Sequence, residues 1–189
     1  MGQKIQTDAP GVSVDRAFLA HFQVSAAAAV AASNTGVHAA IALTDATQEV
    51  TTAITNPAVP RSIIVKGNAA GIAGNVTIHG TNFAGEVISE AVALNGATAV
   101  EGAKAFKTVT KIDLPVETHA GTDTVSVGWG EKLGLPYKLA HNTILATYLD
   151  NTIEGTAPTL TLSATVLEAN TIDLNSALSG KIVDVYLIV

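Results

Sequence analysis

The residues of this chain best suited to chemistry are five histidines, sixteen carboxylates and one glycine-rich run, and their spacing decides what they can do. His21, His38, His79, His119 and His141 stand apart from one another. None falls in an HxH or HExxH arrangement, so no zinc site is set up along the chain, and each reads as a surface or cross-strand residue. The run GNAAGIAG, residues 67–74, lacks GxGxxG spacing, and no GKS or GKT follows it. A phosphate cradle needs a helix start behind it, whereas the next segment has strand character, so the run reads as a loop. DNTIEG, residues 150–155, opens like an EF-hand loop, but Thr161 stands where the bidentate Glu is required. A hairpin turn accounts for Asp150, Asn151 and Gly155 more simply. A looser calcium loop could draw on Asp113, Glu117 and Asp123 in DLPVETHAGTD, because hard cations accept many oxygen geometries. There is no GxSxG elbow and no cysteine, which removes the thiolate nucleophile, the disulfide and the Cys-based zinc site. Glu86 and Glu90 share one strand face, as paired carboxylates for glycoside hydrolysis would. Sugar sites, however, stack rings on aromatics, and this chain has one tryptophan and 4% aromatic residues. The sequence therefore points away from an enzyme, and it assigns no catalytic residue, cofactor or metal ligand.

The elements that would carry these residues are mostly short strands. Residues 1–16 are polar, with Pro10 and Gly11 as breakers. In the next segment Phe18, Leu19, Phe22, Ala26, Ala29 and Val30 fall at helical spacing and Asp15 can cap a first turn, which predicts a helix. An extended arm with apolar anchors is the competing reading. Beyond Gly36 the pattern becomes β. VHAAIAL, EVTTAIT, RSIIVKG, NVTIHG, the return strand carrying Ile88, Val92 and Leu94, KAFKTVTKIDL, DTVSVGWG, TILATYL and TLTLSATV all read as strands. Asn82 and Gly85 supply the positive-φ tolerance that the turn of the NVTIHG hairpin needs. KIVDVYLIV is apolar on both faces apart from Asp184, which predicts a central or covered strand, and its place at the end of the chain implies that no tail follows. The expected fold is all-β: a β-sandwich or jelly-roll-like body over 37–189, preceded by an N-terminal arm over 1–36, extended or partly helical.

Bulk properties bear on partners. The net charge of −6 and the lack of a basic stripe argue against nucleic acid, since Lys104, Lys107 and Lys111 would be split between faces by strand alternation. The run VSAAAAVAA is too short to span a bilayer, the start lacks a signal-peptide pattern, and Gln6 breaks the myristoylation pattern. Charged residues make up only 14%, about half the usual share of roughly 25%, which suggests surface covered by another chain. Without cysteine, stability must come from packing and from oligomerisation.

The ordered segments ITNPAVPRSIIVKGN, VTIHGTNFAGEVISEAVALNG, KAFKTVTKIDLP, GWGEKLGLPYKL and TIDLNSALSGKIVDVYLIV resemble a group of small structural proteins encoded in the head genes of tailed bacteriophages. The resemblance runs from about Phe18 to Val189. It implies a virion component assembled in the host cytoplasm, an auxiliary head protein that decorates or cements the major capsid lattice. Its implied partners are the major capsid protein and copies of itself, with a trimer at lattice three-fold positions as one form. No catalytic residue comes with the family. Contact residues expected from the sequence are Phe18, Leu19 and Phe22 in the arm, and Val185, Leu187 and Val189 in the last strand. Alternatives left open are a tail-tube, head-fibre or tail-fibre subunit, and a cell-surface carbohydrate-binding module with a sugar platform around Trp129 and Tyr137.

Overall fold

The computed structural model describes residues 4–6, 13–15, 17–119 and 122–189. Its strands in chain order are β1 (Lys4–Gln6), β2 (Ser13–Asp15), β3 (Leu19–Val24), β4 (Ser33–Ala42), β5 (Gln48–Val50), β6 (Arg61–Gly67), β7 (Asn75–Thr81) and β8 (Val87–Ala93). They continue with β9 (Val100–Phe106), β10 (Thr108–Leu114), β11 (Thr124–Gly134), β12 (Ile144–Leu149), β13 (Thr152–Ile153), β14 (Thr159–Thr161), β15 (Thr171–Asp173) and β16 (Val183–Ile188). A 3-10 turn at Leu167–Ala169 is the one helical element among the described residues, so none is long and apolar enough to cross a membrane. The fold is all-β, as the alternating patterns require. Pro10 and Gly11, read as breakers, lie outside the described residues.

The body is a sandwich. One sheet runs β5-β10-β7-β8; the facing sheet runs β9-β6-β11, with β4 and the β15-β14 pair along the far edge of β11. Val76 and Ile78 from one sheet, and Ile63, Val65, Val125 and Val127 from the other, meet in a core from which water is excluded. DTVSVGWG thus behaves as its alternation demands. KAFKTVTKIDL does not form one strand. It breaks at Lys107 into β9 and β10, which belong to opposite sheets, so that Phe106 and Val109 both turn inward. Glu90 closes one edge of the sandwich: its carboxylate accepts the backbone N–H of Ala103 (2.7 Å) and of Lys104 (3.2 Å) on the opposite sheet. That contact occupies one carboxylate of the Glu86–Glu90 pair.

A second core lies beside the first, under a sheet ordered β13-β12-β16-β3. Here the structure corrects the helical reading of the arm. Residues 19–24 are a strand, with Phe22 and Val24 buried and His21 and Gln23 exposed. The alanines that follow form turns, with Ala29 fully buried in the second core. Pairing with β16 over six residues satisfies the backbone that a lone short helix would leave marginal in water. The division drawn at Gly36 falls inside β4. TLTLSATV ends as a strand at Thr161; Ala164 and Val166 are exposed. Buried Asn170 takes over that stretch, accepting from the N–H groups of Leu139 and Ser163 and donating to the carbonyls of Ser163 and Val166.

The two cores share β11, which gives Val125 and Val127 to the first and Leu133 to the second. Arg61 sits at the junction. It is 1% exposed and donates to the carbonyl of Val30 (2.6 Å), with Glu131 at 4.0 Å. Burial pushes the guanidinium pKa down against the pull of Glu131 and Glu101. Glu131 in turn accepts the N–H groups of Ala32 and Leu178, tying loops of the second core to the shared strand.

Candidate interaction surface on the terminal sheet

The sheet that joins β3 to β16 gathers, with the residues flanking them, all six contact residues expected from the sequence, and it divides them in two. On its inner face Phe22, Val185 and Leu187 are buried in the second core. They hold the sheet down and are not available to a partner. Phe18, Leu19 and Val189 are exposed, by 52%, 64% and 40%. Phe18 and Val189 exchange both backbone hydrogen bonds at 2.9 Å, extending the β3–β16 ladder by one rung. Leu145 and Ile153, at 62% and 60%, add apolar surface on β12 and β13 that sequence reasoning missed. The signal was an apolar residue out of phase in TILATYL.

The outer face of this sheet is ordered by register. Ile153, Tyr148, Asp184 and Gln23 form one row across its four strands; Ala146, Tyr186 and His21 form the next. Asp184 Oδ1 accepts from Gln23 Nε2 and from His21 Nε2, both at 2.7 Å. Because a carboxylate only accepts, this nitrogen of His21 carries the hydrogen. The His21 ring lies parallel to Tyr186, with centroids 4.6 Å apart, and Tyr148 meets Tyr186 edge-on at 6.0 Å. In a chain with three tyrosines, two stand here. β3 pairs only with β16 among the described strands. Since Phe18 bonds Val189, alternation turns the backbone groups of Leu19, His21 and Gln23 toward the open edge. Such an edge is a template for another chain. The arrangement can bind, by apolar contact, strand pairing and a few polar groups; it holds no nucleophile set against a base.

The other candidate residues fall into separate local contacts. His79 pairs with Asp113 (2.7 Å), which also meets Lys111 (3.0 Å), and Lys111 reaches Glu49 (3.0 Å) on the outer face of the four-stranded sheet of the sandwich. Burial pushes the Asp113 carboxyl up, but hydrogen bonds from Lys111 and His79 outweigh it and hold the pKa below the ordinary value. The hydrogen bonds that Lys111 donates to Glu49 and Asp113 raise its own pKa. His119 pairs with buried Asp123 (3.0 Å) at the far end of the same loop. Asp113 and Asp123 are thus engaged in different contacts. Among the described residues no three His, Asp or Glu side chains are grouped to hold a metal. His38 bonds the adjacent Ala39 carbonyl, and His141 is exposed.

Asp150 and Asn151 both have positive φ (54° and 61°) and form the two-residue turn between β12 and β13, as the hairpin reading requires. In the β7–β8 turn Gly85 has positive φ (82°), but Asn82 does not. Asn82 works through its side chain, fully buried, accepting from the N–H groups of Ala84 and Glu86 and donating to the Glu86 carboxylate. The glycine-rich loop lies against residues 94–98, where Gly67 N–H bonds Gly96 and Gly96 N–H bonds Ile72. Trp129 packs on the first core and over Gly36, while Tyr137 packs on the second, so they form no common platform.

No protein-family model and no curated protein matches the chain. Solved structures that align with it include that of infectious bursal disease virus Gx strain (12% identity, TM-score 0.23), covering 99% of this chain and 46% of that one. The infectious bursal disease virus VP2 subviral particle aligns at 14% identity and TM-score 0.23, covering 99% and 45%. The chain thus spans about half the length of the chains it aligns with. At TM-scores this low the overlap carries no conclusion about fold or role, and the functional reading rests on the residues themselves.

Proposed function

We propose that this chain is a non-enzymatic structural protein of a virus particle: a decoration or cement protein of the tailed-bacteriophage kind that binds the major capsid lattice and stabilises it. The observation that carries this reading is the terminal sheet, where exposed Phe18 and Leu19 lie at the start of β3, whose outer edge is open, with exposed Val189 bonded beside them. The ordered run of segments resembling phage head proteins supports the same assignment, as does the low charge. Phe22, Val185 and Leu187 fix the sheet from within, and the exposed residues meet the neighbour, either the major capsid protein or another copy of this chain. Each apolar side chain fully covered there contributes roughly 1.5–3 kcal/mol, and repetition over a lattice turns modest contacts into avidity. Mass spectrometry of purified virions tests the location: hundreds of copies per particle are expected, and a handful would point to a fibre. Leu19→Asp is expected to leave the fold intact and abolish binding to capsids in co-sedimentation. A wild-type chain that stays monomeric and ignores capsids overturns the proposal.

A further inference from the structure

The outer face of the terminal sheet holds a cavity of about 250 Å³ lined by Tyr148, Asn151, Asp184 and Tyr186. We infer that this cavity is a receptor for a basic side chain, lysine or arginine, presented by the protein against which this face docks. The inference deepens the assembly reading by giving the partner's chemistry, but the pocket itself can be tested on the isolated chain.

Asp184 carries the first part of the argument. The residue is 8% exposed, yet its carboxylate has only half of its capacity used. Both internal donors, His21 and Gln23, come from β3 and reach the same oxygen, Oδ1. Among the described residues Oδ2 has no hydrogen-bond partner. The cavity opens on the other side of β16, toward β12, where Tyr148 stands directly across from Asp184 in the register. Oδ2 is open to the cavity and is not a buried unpartnered atom, so it can accept a further donor there, and a cationic donor gains most.

The walls carry the second part. Tyr148 and Tyr186 meet at 87°, making a corner rather than a platform. A cation within about 6 Å of a ring centroid is drawn to the ring face, so a corner of two rings above a carboxylate suits an ammonium or guanidinium head. The same geometry disfavours a sugar, because one face of Tyr186 is already covered by the parallel His21 ring. Size agrees, since the cavity is smaller than the roughly 300–1,000 Å³ typical of drug-sized ligands. It admits the head of one side chain. The net charge of −6 gives the long-range attraction the same sign. The Asp150–Asn151 turn, fixed in a two-residue hairpin, sets the rim in place before any ligand arrives.

The test is a titration of the full chain with Nα-acetyl-lysine methylamide and with Nα-acetyl-arginine methylamide, following the ring resonances of Tyr148, Tyr186 and His21 by NMR. Saturable shifts with at least one of the two are expected. The uncharged norleucine analogue should give none, and Asp184→Asn should weaken binding at least tenfold. If that variant fails to keep the stacked His21–Tyr186 signature, the pair Tyr148→Phe and Tyr148→Ala replaces it: the first should bind and the second should not. Equal response to the norleucine analogue, no response to either cation, or response to methyl glucoside in their place would overturn the proposal. A chain that binds the cations but is absent from virions would leave the pocket standing and remove the capsid assignment.

Discussion

The two cores of this molecule are built from different kinds of neighbour. In the sandwich, β7 pairs with β8 through a short turn, and β9 passes directly into β10. In the terminal sheet, β3 pairs with β16, and the His21–Asp184 contact spans 163 residues of sequence. The buried core of the sandwich draws only on residues 37–127, although β4 and β6 both pair with distant β11, whereas the terminal sheet must wait for β16 to meet β3. The cost of closing so long a loop grows only slowly with length, so the difference shows more in folding order than in final stability. The sandwich is thereby the scaffold, and the terminal sheet, where an interface is proposed, is the part completed last.

Substitutions can break or sharpen that contrast. Phe106→Ala, in the centre of the first core, is expected to cost about 3–5 kcal/mol and to unfold the whole chain as one unit in urea melts. Arg61→Ala empties a fully buried site and leaves the Val30 carbonyl without its donor, and it is expected to cost about 2–5 kcal/mol. Its signature is separation of the two cores, with amides of β3 and β16 exchanging well before those of β6 and β11. Leu187→Ala is expected to cost about 2–5 kcal/mol, with loss of protection confined to the terminal sheet; equal loss in β7 would sink the contrast. The smallest effect is that of pH on the scaffold. The folded pKa of Asp113 is depressed, so its contribution is present above the unfolded value and fades as pH falls through the folded one. The folded pKa of Lys111 is raised, so its contribution is full below the unfolded value and fades as pH rises through the folded one. Asp113→Asn should flatten the acid limb of the thermal stability curve and leave the terminal sheet unaffected.

What could be read from the sequence follows the same divide. Val125 and Val127 announced their burial because a strand with one covered face must alternate, and Val76 and Ile78 did likewise. The break at Lys107 had one sign in the sequence: Phe106 and Val109, three residues apart, would face opposite ways in one continuous strand, yet both are apolar. The arm read as a helix because alanine spacing is a local signal, and β16, its partner, lies at the other end of the chain. The pairing of Phe22 with Val185 left no trace in either segment alone. The pocket at Asp184 was equally hidden, because Tyr148, Asn151 and Tyr186 become neighbours only through the register of β12 with β16 and the turn that follows β12. Apolar content singled out two segments that the fold brings together in one sheet. It could not tell which members of each would be consumed inside.

The rung between Phe18 and Val189 has a mechanical corollary. Because β3 and β16 run antiparallel from that rung, a pull applied between these two residues loads one pair of hydrogen bonds at a time, as a zipper opens, and does not shear the six-residue ladder as a whole. Tension entering through this corner would peel β3 from β16 while the sandwich stayed shut, so the molecule should yield at its edge under modest force and recover once the load is released.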